Sequence, residues 1–476
     1  MPSPVETAIR DTLTVGIRKL ANFNRARATT QEAHPYLTGI HTPMGEEVTL
    51  ENLIVTGDIP PALNGRYLRI GPNPVTNPNP ARYHWFTGDG MVHGIRIQAG
   101  QAEWYRNRWV RSTAVSTALG EVLKPGPRLT ESAVNTNVIG HSGRTYALVE
   151  AGGTPAELSE TLDTIAHNPF DATLKGAFSA HPHRDPQSGE LHAICYNAPD
   201  FNRVFHVVVG TDAKVRREEP IAVQHGPSIH DCAITKRFVL VFDLPVTFSK
   251  QAMVAGYQFP YRWNPGHQAR IGLLPRQAAG TEIIWCGVDP CYVYHPSNAY
   301  DGEDGSVIVD VVVHDRNSHR DFRGPDPDRI TFERWTIDPA TKQVQRRVLD
   351  DTPQEFPRMD ERRTGQPYRY AYSVQVPAGQ PDLIGETTIL KHDLQKGSRA
   401  VRDFGANRYP GEFVFIPGHA EAAEDEGWLM GLVVDMGNQT TDLVILNAQD
   451  FTGPAQASIR LPHRIPPGFH GNWIET

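Results

Sequence analysis

Four histidines carry the chemistry that is easiest to read from this sequence. His181 stands in SAHPHRDPQSGELHA, His230 in GPSIHDCAIT, His295 in CYVYHPSNAYDGEDG and His470 in PPGFHGNWI. They are far apart in the chain, so no local motif such as HExxH joins them. The chain holds 20 histidines, and one histidine alone reads as a surface or core residue with one satisfied ring nitrogen. These four stand in unusual settings, His181 in the loop before a strand and His470 six residues from the end of the sequence. Imidazole suits iron, copper, zinc and nickel. An all-imidazole set leaves the charge of a metal uncompensated, which calls for carboxylates just outside it. Three glutamates are candidates: Glu150 ends RTYALVE, Glu355 lies in TPQEFPRMD and Glu412 in RYPGEFVFIP. Each alone reads as a strand-end carboxylate facing water, because burial without a partner is costly. Beside four histidines they read as acceptors for the second ring N–H, which fixes tautomer and orientation.

Residues so far apart need a fold that brings distant strands to one place. From about residue 48 the sequence runs in short β-branched and aromatic stretches: 64–71, 144–150, 190–197, 204–210, 237–245, 306–314, 429–435 and 442–447. Turn chemistry separates them, as in GPNP, PQSG, DGEDG, PAG and MGNQ. This rhythm continues for most of the chain without alternating long helices, which predicts an all-β protein. A sandwich of that size is improbable, whereas a propeller closes radially and leaves few edges. In a propeller, strands far apart in sequence converge on the central axis, so ligands from different blades can meet there. No clean internal repeat sets the blade number. Helices are expected only at the N-terminus and over 154–164 (TPAELSETLDT). The expected organisation is an N-terminal helical extension, 1–47, and a single propeller domain, 48–476.

Composition supports this and excludes other classes. The 41 glycines and 39 prolines among 476 residues punctuate the chain too often for a helical bundle. A net charge of −8 argues against a nucleic-acid partner. No apolar run is long enough to span a bilayer. The start of the chain lacks the apolar segment of a signal peptide. Cys195, Cys232, Cys286 and Cys291 form no CxxC pair, which fits free thiols in a reducing cytoplasm. Val5, Ile9, Leu13, Ile17 and Leu20 recur at helical spacing among Arg10, Arg18, Lys19, Arg25 and Arg27. The plainer expectation is a helix packed on the body. A second is a helix resting on anionic lipid, weakened by Glu6 and Asp11.

Taken jointly, several segments resemble the carotenoid cleavage oxygenases, a family that includes apocarotenoid, lignostilbene and isoeugenol cleavers and the retinoid isomerase of the eye. The resemblance runs from about residue 48 to the end. It rests on NGRYLRIGPNP (64–74), HWFTGDGMVH (84–93), AHPHRDPQSGELHA (180–193), IHDCAIT (229–235), YHPSNAYDGEDGSVIVD (294–310) and FHGNW (469–473). It implies a seven-bladed β-propeller with a helical cap over one face. It also implies ferrous iron on His181, His230, His295 and His470, with Glu150, Glu355 and Glu412 behind three of those rings. Thr136, in NTN, matches a small side chain that the family places beside the vacant iron position. The implied reaction uses O2 to split a carbon–carbon double bond into two carbonyl products. Neutral imidazoles suit it, since they hold Fe(II) without negative charge that would favour Fe(III). No GxGxxG or P-loop points to a nucleotide cofactor.

Two positions depart from the family pattern. His183 stands where lysine is frequent, so two histidines occur at i and i+2; His181 is the expected ligand and His183 the exposed one. Val149, before Glu150, replaces a residue that resembles lysine in the phenol-specific cleavers. An apolar valine favours a carotenoid or apocarotenoid over the alternative, a phenylpropenoid or stilbene giving aromatic aldehydes. Phe86, beside GDGM, reads either as tunnel wall or as plain core. The stretch 247–263, with Phe248, Met253, Val254, Tyr257, Phe259, Tyr261 and Trp263, reads as a covered loop or as an apolar mouth touching membrane. The remaining classes make different demands. A calcium-dependent propeller lactonase needs carboxylate and asparagine ligands. A non-enzymatic binding propeller needs no histidine set, and the isomerase branch breaks an ester.

Overall fold

The computed structural model describes residues 4–127, 133–197, 200–377 and 383–475, with side chains described from residue 16 onward. Seven antiparallel sheets of four or five strands form the body, with a small two-stranded sheet, Val246–Phe248 with Tyr261–Trp263, beside them. The sheets are the blades of a seven-bladed propeller. Their inner strands are Asn137–His141, His183–Arg184, Cys232–Ile234, Pro296–Asp301, Gln354–Arg358, Arg408–Pro417 and Gly471–Glu475. These touch one another around the axis.

The ring is closed twice. The C-terminal strand Gly471–Glu475 pairs with Gly65–Pro72, placing the last residues innermost in the first blade. The early strand Ile54–Gly57 pairs with Ala457–Leu461 and becomes the outer edge of the last blade. Both seams tie the two ends of the chain together and close the ring of blades.

Why the middle strands are so apolar follows from blade stacking. Leu191–Tyr196 and Phe238–Asp243 are buried at every position, because each blade is covered on both faces by its neighbours. Outer strands such as Gln343–Asp350 and Ser398–Asp403 bury none of their residues fully and expose Arg347 and Arg399. All eight strand-like stretches singled out above overlap strands of the blades.

Two helical expectations change. Residues 154–164 form strand Ala156–Leu158, a turn and the start of strand Thr164–His167. Ser159 Oγ accepts the N–H groups of Thr161 and Asp163, and Leu162 has φ +72°, so the serine holds a tight turn where a helix would need i→i+4 pairing. The cap is mostly loops: beyond the N-terminal helix Pro4–Arg27, the α-helices among the described residues are Thr113–Ala118 and Lys250–Val254.

The N-terminal helix ends against the body. Ala21 is buried, Asn24 Nδ2 donates to Val254 O at 2.7 Å and Arg25 Nε to Gly256 O at 2.9 Å. Ile17, Leu20 and Phe23 remain exposed, at 37%, 47% and 55%. The side chains of Val5, Glu6, Ile9, Arg10, Asp11 and Leu13 lie outside the described ones. No described helix is long and apolar enough to cross a membrane.

Candidate metal centre

Each inner strand, or the loop leading into it, supplies one residue to a region around the axis: Thr136, His181, His230, His295, Glu355, Glu412 and His470. His181 and His230 lie two residues ahead of their strands, and His295 and His470 one residue ahead. Their positions just ahead of the inner strands bring four imidazoles together although the sequence separates them widely. Their nitrogens lie within 4.8 Å of one another and all four rings are buried.

Three of the rings are tied from behind. His230 Nδ1 meets Glu150 Oε1 at 3.0 Å, His295 Nδ1 meets Glu355 Oε2 at 2.6 Å and His470 Nδ1 meets Glu412 Oε1 at 3.0 Å. A carboxylate accepts, so each Nδ1 carries the proton and each Nε2 presents its lone pair inward. The Nε2 atoms of His230 and His295 stand 3.2 Å apart. His181 Nε2 is buried without a hydrogen-bond partner. An orphaned buried nitrogen costs about 1–3 kcal/mol, and four convergent imidazole nitrogens are a donor set that suits a transition metal. The residues present fit a metal ion.

Electrostatics hold His181 and His470 towards the neutral ring and Glu355 and Glu412 towards the carboxylate, while His295 is shifted the other way. Burial lowers the His181 pKa far below the ordinary value, and the neighbouring imidazoles lower it further. Burial also lowers His470, with Glu412 opposing. At His295 burial acts downward, but Glu355 outweighs it and the net shift is upward. Burial pushes Glu355 up, yet His295 and His314 hold it well below the carboxylate range. Burial likewise opposes Glu412, which Arg358 and His470 bring down to about 2.

Local backbone irregularities aim these groups. The inner-strand pairings shift register between Pro296 and Asn298, between Glu355 and Arg358, and between Pro410 and Phe413. Bulges of this kind redirect side chains beside functional sites. Phe356 adopts φ +54°, and its N–H donates to Glu355 Oε2 at 2.7 Å. His470 is set by a close backbone crossing. A Cβ on Gly71 would lie 2.4 Å from Gly468 Cα, so only glycine lets the C-terminal loop approach the first strand.

Two cavities meet at the rings. One, of about 400 Å³, is walled by Phe86, Val149, Phe259, Tyr294 and Phe469 and floored by His230, His295 and His470. Thr136 also lines it. Phe86 stands edge-on to Phe259, Tyr294 and Phe469, with ring centroids 5.5–5.9 Å apart, so it is cavity wall and packed aromatic cluster at once. The other cavity, of about 950 Å³, is lined by polar and apolar surface in about equal measure and includes the charged groups of His183, Asp231, Arg358 and Glu361.

One sequence expectation needs correction and one open alternative is narrowed. His183 is half-buried, and its Nε2 pairs with Asp231 Oδ1 at 2.8 Å; the carboxylate draws the ring inward. Of the two readings of 247–263, the covered loop fits better. Phe248 packs on Phe201 and Tyr261, Tyr257 stacks on Phe322, and the helix end lies over Val254 and Gly256. Phe259 and Tyr261 alone of its aromatic residues reach the cavity.

Three participants were not read from the sequence. His314 Nε2 donates to Glu355 Oε1 at 2.7 Å, so one buried carboxylate serves two imidazoles. Arg358 Nη1 lies 3.4 Å from Glu412. Asp231 Oδ2 lies 3.7 Å from His181 Nδ1, the ring without a glutamate. A histidine closing the apolar run VIVDVVVH and an aspartate directly after His230 were the available signals.

Residues 41–475 match the family described as retinal pigment epithelial membrane protein. A carotenoid cleavage oxygenase of Mycobacterium tuberculosis is 42% identical, over 94% of this chain and 98% of that protein. The crystal structure of a lignostilbene dioxygenase from Pseudomonas brassicacearum is similar with a TM-score of 0.84 and 27% identity, covering 94% of this chain and 99% of that one. Cobalt-substituted apocarotenoid oxygenase of Synechocystis gives a TM-score of 0.80 and 27% identity, covering 91% and 97%.

Proposed function

The chain belongs to the carotenoid cleavage oxygenase family, and from that premise we propose that it is an Fe(II)-dependent dioxygenase that splits one double bond of a carotenoid or apocarotenoid. The products are two aldehydes or ketones, with O2 as the only co-substrate. The observation that carries the reading is the four-histidine cluster at the floor of an apolar cavity.

His181, His230, His295 and His470 would hold the iron, and Glu150, Glu355 and Glu412 would keep three of the rings in the tautomer that offers Nε2. Ferrous iron, when bound, supplies the one-electron chemistry that lets dioxygen react with a closed-shell alkene. The remaining work belongs to the cavity. Phe86, Phe259 and Phe469 bind an electron-rich hydrocarbon by apolar contact and exclude water. Thr136 narrows the space beside the rings without placing a charge there. Val149 offers no partner to a phenolate, which favours a polyene. Holding one double bond in place replaces an improbable encounter by a fixed geometry.

A second reading is an aryl-alkene cleaver of the lignostilbene type, to which the structural likeness extends. The deciding experiment is iron quantitation on the purified protein, followed by aerobic product analysis with 18O2 on an apocarotenal and a hydroxystilbene. Iron near one per chain and labelled aldehydes from the polyene are expected. Calcium without iron, or no label in either product, sinks the proposal.

The exposed apolar face of the N-terminal helix, Ile17, Leu20 and Phe23 beside Arg18, Lys19 and Arg27, suits contact with anionic lipid, the phase in which such substrates reside.

A further inference from the structure

The two cavities differ in a way that bears on how a metal reaches the rings. A hydrated dication passes poorly along a wall formed largely by Phe86, Phe259, Tyr294 and Phe469, where few groups replace its water. The larger cavity, which carries charged groups along its wall, leads to the same rings from a different side, since it too is lined by His181, His295 and His470. On that wall, before His181, stand His183 and Asp231.

We propose that His183 and Asp231, with Cys232 as third donor, form a transit site where a divalent transition-metal cation binds before passing to the four histidines. The inference rests on the iron reading of those histidines. Nitrogen, carboxylate and sulfur donors lie within 4.8 Å of one another here. They form a mixed set of the kind that takes Fe(II), Co(II) or Zn(II). His183 Nε2 and Asp231 Oδ1 are 2.8 Å apart. Two donors at about 2.1 Å from one ion and at right angles to each other stand roughly 3 Å apart, so the pair needs little movement to close on an ion.

Asp231 also supplies the direction of transfer. Oδ1 faces His183, while Oδ2 lies 3.7 Å from His181 Nδ1. One carboxylate thus stands between the outer imidazole and the Nδ1 edge of the His181 ring, and an ion released by Asp231 has that ring to pass before it meets Nε2. The guanidinium groups beside this path are engaged. Arg358 pairs with Glu361 at 2.6 Å, Arg362 with Asp360 at 2.6 Å, and Arg184 donates to Gly140 O at 2.6 Å. Glu361, largely exposed, gives the outer end of the path a carboxylate. The metal stays divalent, and the step is an exchange of ligands.

The test follows Co(II) uptake by the full chain after chelator treatment, with stopped-flow absorption for the rate and elemental analysis for the amount. Wild type should acquire one slowly exchanging cobalt and a second, weak one. His183→Ala and His183→Lys should keep the slow cobalt, lose the weak one and load at least tenfold more slowly. The lysine variant retains a cationic partner for Asp231, so the fold is maintained, and matched melting temperatures of the loaded proteins check this. Loading of both variants at the wild-type rate, or a weak equivalent that survives in both, overturns the transit site while the slow cobalt leaves the four-histidine reading intact. Absence of a slow cobalt in wild type overturns that reading, and the transit site with it.

Discussion

His230 and His295 present Nε2 to Nε2 at 3.2 Å while their Nδ1 edges are turned outward to Glu150 and Glu355. With both Nδ1 protons engaged, two neutral rings would face each other with lone pairs and no hydrogen between them. Such a contact is repulsive unless a cation is shared. Two nitrogens at about 2.1 Å from one ion, at right angles, are roughly 3 Å apart, close to the spacing found. The carboxylates therefore do more than anchor the rings. By fixing where the protons are, they determine that the space between the rings attracts a metal.

Glu355 is the most exacting of them, because its two oxygens serve His295 and His314 and it is wholly buried. Glu355→Gln keeps the shape but replaces one acceptor by a donor, so one imidazole loses its partner. Iron affinity, measured by competition with a chelator, should fall 10- to 100-fold, the usual effect of removing such an outer partner. His295→Ala should retain no stoichiometric iron. Wild-type affinity in the glutamine variant would show that tautomer control plays no part.

Val149 lies in the wall of the apolar cavity, next in sequence to Glu150 and 9% exposed. Val149→Lys places an ammonium group there. Apocarotenal turnover should drop at least tenfold, because an unpaired charge in an apolar site costs several kcal/mol. A hydroxystilbene, whose phenolate can pair with the new cation, should gain turnover or affinity. Product analysis by chromatography on both substrates decides; unchanged preference removes residue 149 from substrate selection.

Much of this was legible in the chain. The β-rich rhythm, the four histidines and the three glutamates stand in the sequence, and the glutamates do meet three different rings. The pairing of partners was legible only through family likeness, since spacing cannot say which loop opens on the axis. What stayed hidden depends on backbone irregularity. The bulges at Pro296–Asn298, Glu355–Arg358 and Pro410–Phe413, and the positive φ at Phe356, have no fixed residue signature. His314 looked like the end of an ordinary apolar strand. Residues 154–164 carry helix-forming glutamate, leucine and alanine, but Ser159 turned the chain instead, and neighbouring strands outweighed propensity. His183 looked exposed because its partner, Asp231, comes from the next blade.

Ile17, Leu20 and Phe23 form an exposed apolar row on the N-terminal helix. Burying one such side chain in lipid contributes about 1.5–3 kcal/mol, so Leu20→Ser with Phe23→Ser should weaken binding to vesicles of mixed neutral and anionic lipid at least tenfold. Sedimentation with such vesicles measures it. Turnover of a water-dispersed short apocarotenal should stay unchanged, since neither residue reaches the cavity. Equal sedimentation of variant and wild type would leave the helix as packing against residues 254–256 only.

Stability should fall in mild acid, and the sign follows from buried neutral histidines away from the metal centre. Burial brings His34, His192 and His392 down to about 4 in the folded chain, against about 6.5 when unfolded. Between these values the unfolded chain binds protons that the folded chain refuses. Stability is therefore complete above pH 6.5 and is lost as pH falls towards 4, by up to about 1.4 kcal/mol per pH unit for each group. His183 and His295, held above their ordinary values, act in the opposite sense and reduce the net slope. The clean measurement is a difference: melting temperature against pH from 7 to 5 for wild type and for His192→Gln, at equal iron content. His192 Nδ1 lies 3.1 Å from His206 Nε2, and glutamine can hydrogen-bond there without titrating. The variant should lose less stability than wild type over that interval; parallel curves would mean that His192 accepts its proton in the folded chain as readily as in the unfolded one.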